Sequence, residues 1–157
     1  MTIREMQRAE YPLLESFLYE AIFIPSGVEP PPKSIINRPE LQVYISNFGA
    51  SKHDIAIVAD IDGKIVGAVW VRIMNDYGHV DDSTPSFAIS LYKDYRRKGI
   101  GTALMKEMLT SLKLRGYEQA SLSVQKENYA TKMYQKLGFQ IIDENEEEYL
   151  MLKKLNN

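Results

Sequence analysis

The sequence predicts an α/β (α+β) fold, a mixed central sheet of six to seven strands flanked by about four helices. Two β-rich runs face each other across Asp62-Gly63. A strand, helix, strand, helix, strand order fills residues 87 to 152, and an amphipathic helical pattern lies ahead of both. Strands joined by a tight turn pair antiparallel, whereas strands joined through a helix pair parallel, so one sheet holding both is mixed.

The chain opens on a short apolar stretch from Ile3 to Met6. Over residues 8 to 23, Leu13, Leu14, Phe17, Leu18, Ala21 and Ile22 recur three and four apart, the period of an amphipathic helix. Pro25, Gly27 and Pro30-Pro31-Pro32 cannot continue it, because proline lacks the amide donor and fixes φ, so a surface loop follows. A shorter second helix is expected after Pro39, with Leu41, Tyr44, Ile45 and Phe48 on one face and Gly49 as its stop.

The runs Ile55 to Ala59 and Ile65 to Val71 are rich in β-branched residues, and Asp-Gly between them is a favoured hairpin turn. A polar loop with Asp76, Tyr77, Gly78, His79, Asp81 and Asp82 leads to Phe87 to Leu91, which has the continuous apolarity of a buried strand. Residues 99 to 114 predict a helix with Ile100, Ala103, Leu104, Met108, Leu109 and Leu112 facing inward and Gly116 ending it. A strand from Ala120 to Val124 follows, then a helix over 129 to 137 stopped by Gly138, and strands from Phe139 to Ile142 and from Tyr149 to Leu152. No repeat or linker interrupts this order, and one domain over residues 1–157 is expected.

A chain of 157 residues, 45% apolar and 25% charged, has the composition of a globular domain with a core of its own. A formal net charge of −2 lacks the basic excess of phosphate-contacting proteins, so no nucleic-acid partner is expected. The absence of cysteine removes disulfides, thiolate metal sites and a cysteine nucleophile together. The first residues show no secretory pattern, and no window approaches the roughly 18 apolar residues of a membrane span, so a cytoplasmic chain is expected.

Chemistry concentrates in Tyr95-Arg96-Arg97-Lys98-Gly99-Ile100-Gly101-Thr102, between a predicted strand and a predicted helix. The first free amides of a helix carry partial positive charge, and glycines let an anion approach the backbone. Three cations at a helix N-terminus oppose the macrodipole by about 0.3–1 kcal/mol each at an exposed site, a conflict that an anionic ligand offsets. The spacing lacks the Gly-Lys-Ser/Thr ending of a Walker sequence and the third glycine of a dinucleotide fingerprint.

Arg96-x-x-Gly99-x-Gly101 resembles the R/Q-x-x-G-x-G/A signature of the GNAT acyltransferases. Asn128-Tyr129-Ala130-Thr131-Lys132-Met133-Tyr134-Gln135-Lys136-Leu137-Gly138-Phe139 is similar to that family's second signature, in the same order along the chain. The resemblance covers residues 87 to 142 continuously and reaches upstream to about Asp54. It implies a GNAT-like sheet and acetyl-CoA as co-substrate, with no metal. It also implies backbone amides between about Arg97 and Thr102 around the pyrophosphate of coenzyme A. Leu91, Arg96, Arg97, Lys98, Gly99, Ile100, Gly101, Thr102 and Asn128 are the implied cofactor contacts. Asparagine is equally one of the best helix N-caps, and Tyr134 equally suits an inner helix face as a buried aromatic.

The implied reaction is direct attack of a primary amine on the thioester in a ternary complex. A departing thiolate, with a thiol pKa near 8.5, gains from a nearby proton donor, and the resemblance puts Tyr134 in that catalytic role. An amine of pKa about 10.4 is neutral in only about one molecule in 2,500 at pH 7, so a base helps remove its proton. Many relatives use a glutamate near the central strand, where this chain has Ser86. That leaves His79, Asp81, Asp82 or water. Tyr19, Phe23, Trp70 and Tyr77 are candidate walls for the acceptor. The expected partner is a small-molecule or peptide amine, with a homodimer as an option and no membrane. The rival class is a non-catalytic acyl-CoA-binding or regulatory module, which has no use for a leaving-group acid.

Overall fold

The computed structural model describes residues 1–155. Seven strands form one sheet: β1 (Thr2–Glu5), β2 (Ile55–Ile61), β3 (Lys64–Arg72), β4 (Ser86–Leu91), β5 (Gln119–Gln125), β6 (Gln140–Glu144) and β7 (Glu148–Lys154). Four α-helices pack on it: α1 (Leu14–Ala21), α2 (Pro39–Gln42), α3 (Ile100–Leu114) and α4 (Ala130–Lys136). The strand order is β1-β2-β3-β4-β5-β7-β6, with every neighbouring pair antiparallel except β4 and β5.

Period-two alternation divides the core between the two faces of the sheet. Ile55, Ile57, Val69, Val71 and Phe87 pack with the buried stripe of α3 and with Tyr134 and Phe139. Ala56, Val58, Ala68 and Trp70 pack on the other face against Leu14, Phe17 and Leu18 of α1. A register shift between Ala59 and Asp60 adds Val66 to the face of Val69, although the two are three residues apart. At the β2–β3 hairpin Asp62 and Gly63 have φ of 52° and 87°, the left-handed pair a two-residue type I′ turn needs.

Three helical expectations need correction. The first helix does not run from residue 8 to 23: Arg8–Leu13 is a 3-10 turn, and α-helix begins only at Leu14. Pro12 lies within that first segment and has no N–H to give an α-type bond. The second helix stops at Gln42 rather than Phe48. Side chains of β3 take the carbonyls it would need: Trp70 Nε1 donates to Tyr44 O at 3.0 Å, and Arg72 Nη1 to Val43 O at 3.2 Å and Ser46 O at 2.9 Å. Arg72 also forms a bidentate pair with Asp54 at 3.1 and 3.0 Å. In α3 the inward stripe contains Met105, whereas Ala103 is only partly buried.

Candidate active site

β4 and β5 share a single ladder position, Ser86 with Ser121. Both hydroxyls donate to Gly78 O, at 3.0 and 2.6 Å, and pin the strands there. Beyond that point the facing edges carry no further pair among the described residues; a smaller cavity is lined by both strands, and a larger one adjoins it beside the end of β4. Strand ends at such a parting are where open α/β sheets bind ligands.

The larger cavity, about 560 Å³, is lined by Tyr19 to Ile24, by Ile89 to Leu91, by the turn before α3 and by residues 128 to 134. Leu91 reaches it because its β3 partner is Gly67, where a Cβ would lie 2.5 Å from Leu91 Cδ2. In the turn, Arg97 and Gly99 both adopt left-handed backbone, with φ of 62° and 83°. The first bond entering α3 runs from Ala103 N to Gly99 O, which leaves the amides of Ile100, Gly101 and Thr102 without a backbone acceptor. Such a concave run of amides is an anion nest.

The cations at this turn do different things. Arg96 Nε donates to Leu91 O at 2.9 Å and its Nη2 lies 3.4 Å from Glu20 Oε1, so the side chain ties β4 to α1 at the cavity wall. Arg97 lines the cavity and sits over the Tyr129 ring at 4.8 Å. Lys98 is not part of the wall and lies over Tyr95 at 6.0 Å, and the Ile100 side chain turns into the core. At Ile100 only backbone is available to a ligand in this turn, whereas the Lys98 side chain is exposed beside it. Gly99 has open space where a Cβ would be, so its requirement is purely conformational. Gly99→Ala is expected to lower stability by about 1–2 kcal/mol, the strain of a left-handed alanine, which chemical denaturation measures.

Tyr134 is 8% exposed and lines both cavities. Its ring packs edge-on to Phe139 at 6.2 Å, and burial pushes its phenol well above the ordinary value, so it holds its proton at neutral pH. Asn128 also lines both cavities, and its Oδ1 accepts the Ala130 amide at 2.9 Å, capping the turn into α4.

The second cavity, about 270 Å³, shares six residues with the first, among them Phe23, Asn128 and Tyr134. Glu148, Tyr44 and Ser123 line it, none of which the sequence had singled out for chemistry. Glu148 belongs to an acidic run from Asp143, and only its place at the start of β7 distinguishes it. The structure brings none of the base candidates there. His79 Nδ1 faces Met74 O at 3.1 Å, and Asp82 is 99% exposed. Asp81 accepts Thr84 Oγ1 at 2.7 Å and Ser83 N at 2.9 Å, bonds that hold its carboxyl below the ordinary range and make it a poorer base. Two of the four expected walls are also misplaced. Trp70 is fully buried beneath residues 44 to 48, and Tyr77 lines neither cavity, whereas Phe23 lines both and Tyr19 the larger one alone.

Residues 19–150 match a sequence family described as "Acetyltransferase (GNAT) domain". The chain belongs to the GNAT acetyltransferase family. Among GNAT relatives, an N-alpha-acetyltransferase from Sulfurisphaera tokodaii is 31% identical over 114 residues, which cover 62% of this chain and 68% of that protein. The "Probable N-acetyltransferase camello" of Xenopus tropicalis is 35% identical over 83 residues, 52% of this chain but only 36% of that one. The GNAT fold recurs in the PaiA N-acetyltransferase of Thermoplasma acidophilum, solved in complex with coenzyme A, at a TM-score of 0.71 with 98% of each chain covered and 19% identity. A GNAT acetyltransferase is an acyltransferase, and solved proteins of this fold hold coenzyme A or acetyl-CoA. Among the described residues no group of three or more His, Asp or Glu is placed to hold a metal, and no helix is long and apolar enough to cross a membrane.

Proposed function

We propose that this chain transfers the acetyl group of acetyl-CoA to a primary amine, by direct attack within a ternary complex. The observation that carries this reading is that two cavities meet at Tyr134. A module that only bound acyl-CoA needs the first cavity; a second one opening on the same phenol provides for an acceptor.

In this reading the amides of Ile100 to Thr102 and the Arg97 side chain take the pyrophosphate, and the acyl end of the donor runs between β4 and β5 towards Tyr134. Helix dipole, unpaired amides and a guanidinium all favour negative charge at that point. Tyr134 keeps its proton in the resting site and gives it to the sulfur as the C–S bond breaks. A thiolate forming in the same water-poor cleft is a stronger base than one in water, which offsets the weak acidity of a buried phenol. Acceptors consistent with the site are small amines and peptide amino groups, the latter in keeping with the name of the archaeal relative.

Coenzyme A at about 100 times its Kd is expected to stabilise the fold by about 2.7 kcal/mol, read as a rise in melting temperature. Acetyl-CoA with a panel of primary amines is expected to release free thiol. No thermal shift at millimolar coenzyme A sinks the proposal.

A further inference from the structure

The second cavity contains a carboxylate for which the fold supplies no counter-ion. Glu148 is its one acidic residue, and neither lysine, arginine nor histidine lines it. Among the described residues Glu148 makes no ion pair. Behind it, Tyr44 donates its hydroxyl to Asp76 Oδ2 at 2.8 Å, which leaves the phenol oxygen as an acceptor that the Ser123 hydroxyl also approaches. Asp76 Oδ1 is buried with no hydrogen-bond partner. Half-buried negative charge without a compensating cation is unfavourable, and an arriving ammonium relieves it. Leu18, Phe23, Leu41, Phe87, Leu122 and Val124 give the cavity an apolar side, and Ser123, Gln125 and Asn128 add neutral polar groups to the rest of the wall. Tyr134 lies on the side shared with the larger cavity.

We propose that Glu148 is a further catalytic residue, which binds the ammonium of a primary amine carried on an apolar group and removes its proton, with Tyr44 as a second acceptor. The inference rests on the acetyl-transfer reading and adds the acceptor class and the base. Burial raises the Glu148 carboxyl above the ordinary range; the Ser123 hydroxyl opposes this and the charge of Asp76 adds to it. The shift moves the carboxylate towards a base that works near neutral pH.

In the reaction, the Glu148 carboxylate takes one proton from R–NH3+. The nitrogen lone pair forms the C–N bond, and the C–S electron pair leaves on sulfur, which receives the Tyr134 proton. The second nitrogen proton returns to Tyr134 through solvent. The products are the N-acetylamine, the free thiol of coenzyme A and one proton on Glu148, which passes to water.

The test compares wild type and Glu148→Gln at pH 7 with acetyl-CoA and two amines: phenethylamine, which arrives protonated, and 2,2,2-trifluoroethylamine, which arrives largely neutral. For phenethylamine kcat/KM is expected to fall about 10²–10⁴-fold, the usual range for losing a general base. For trifluoroethylamine the loss is expected to be much smaller, a difference that a merely structural role does not produce. Glu148→Asp, which keeps the carboxylate, is expected to recover part of the phenethylamine rate and carries the comparison if the Gln variant loses its thermal shift with coenzyme A. Equal losses on both amines, an unchanged phenethylamine rate, or no turnover of either amine by wild type with the coenzyme A shift intact would each overturn the proposal. A missing coenzyme A shift in wild type removes the acetyl-transfer reading itself.

Discussion

Gly101→Glu is expected to abolish coenzyme A binding while leaving the fold intact. Gly101 is the second residue of α3, in the middle of the run of unpaired amides. A Cβ there would already lie 3.3 Å from Leu91 Cδ1 and 3.9 Å from Met133 Sδ, so a longer side chain is turned towards the cavity. Its carboxylate then occupies the space proposed for the pyrophosphate and repels it at short range, where two like charges about 4 Å apart cost several kcal/mol outside bulk water. The backbone tolerates the change, because φ at Gly101 is not left-handed and glutamate is a better helix former than glycine. Calorimetric titration with coenzyme A, beside far-ultraviolet circular dichroism of the same sample, measures both halves of the expectation. Wild-type affinity in the folded variant would place the cofactor elsewhere.

Tyr134→Phe is expected to keep coenzyme A affinity and lower kcat by about 10²–10⁴-fold, towards the lower end because a thiol is already a good leaving group. The ring makes the packing: it is 8% exposed and meets Phe139 edge-on, contacts a phenylalanine preserves. Single-turnover kinetics under conditions where chemistry limits the rate are the measurement. A wild-type rate makes Tyr134 a packing residue and assigns the acid to water. Affinity and rate falling together assigns the hydroxyl to ground-state binding instead.

The parts of the fold that were legible in the sequence are those where local chemistry and tertiary context agree. Asp62-Gly63 prefers the left-handed pair that the hairpin uses, and the period of α3 survives because its stripe lies on the sheet. The second helix was over-extended because Leu41, Tyr44, Ile45 and Phe48 do face the core, yet Trp70 and Arg72 hold residues 43, 44 and 46 by their carbonyls. Those partners lie some 26 residues away in the chain, beyond the reach of any local pattern.

The residues proposed for the cofactor were singled out for a related reason. All but Leu91 sit in two continuous segments, 96 to 102 and 128 to 134, each visible as a local pattern, whereas the Tyr19 to Ile24 wall of the same cavity comes from a distant part of the chain. The cavity proposed for the acceptor is assembled from Phe23, Tyr44, Ser123 and Glu148 among others, one from each of four distant parts of the chain. Glu148 hides in an acidic run, and only the pairing of β5 with β7, Gln125 opposite Glu148, sets it beside the cleft.

The lone ladder position between β4 and β5 also bears on how the protein comes apart. Backbone cooperativity within a sheet travels along shared rungs, and here the four strands β1 to β4 and the three strands β5 to β7 share one. Side-chain packing of Phe87 against Phe139 within the shared core cluster also crosses that seam, as does the serine pair on Gly78 O. A molecule wedged into the gap touches both halves and works as a strut. Occupancy of the gap is therefore expected to set the degree to which the amides of the two halves exchange with solvent as one unit or as two.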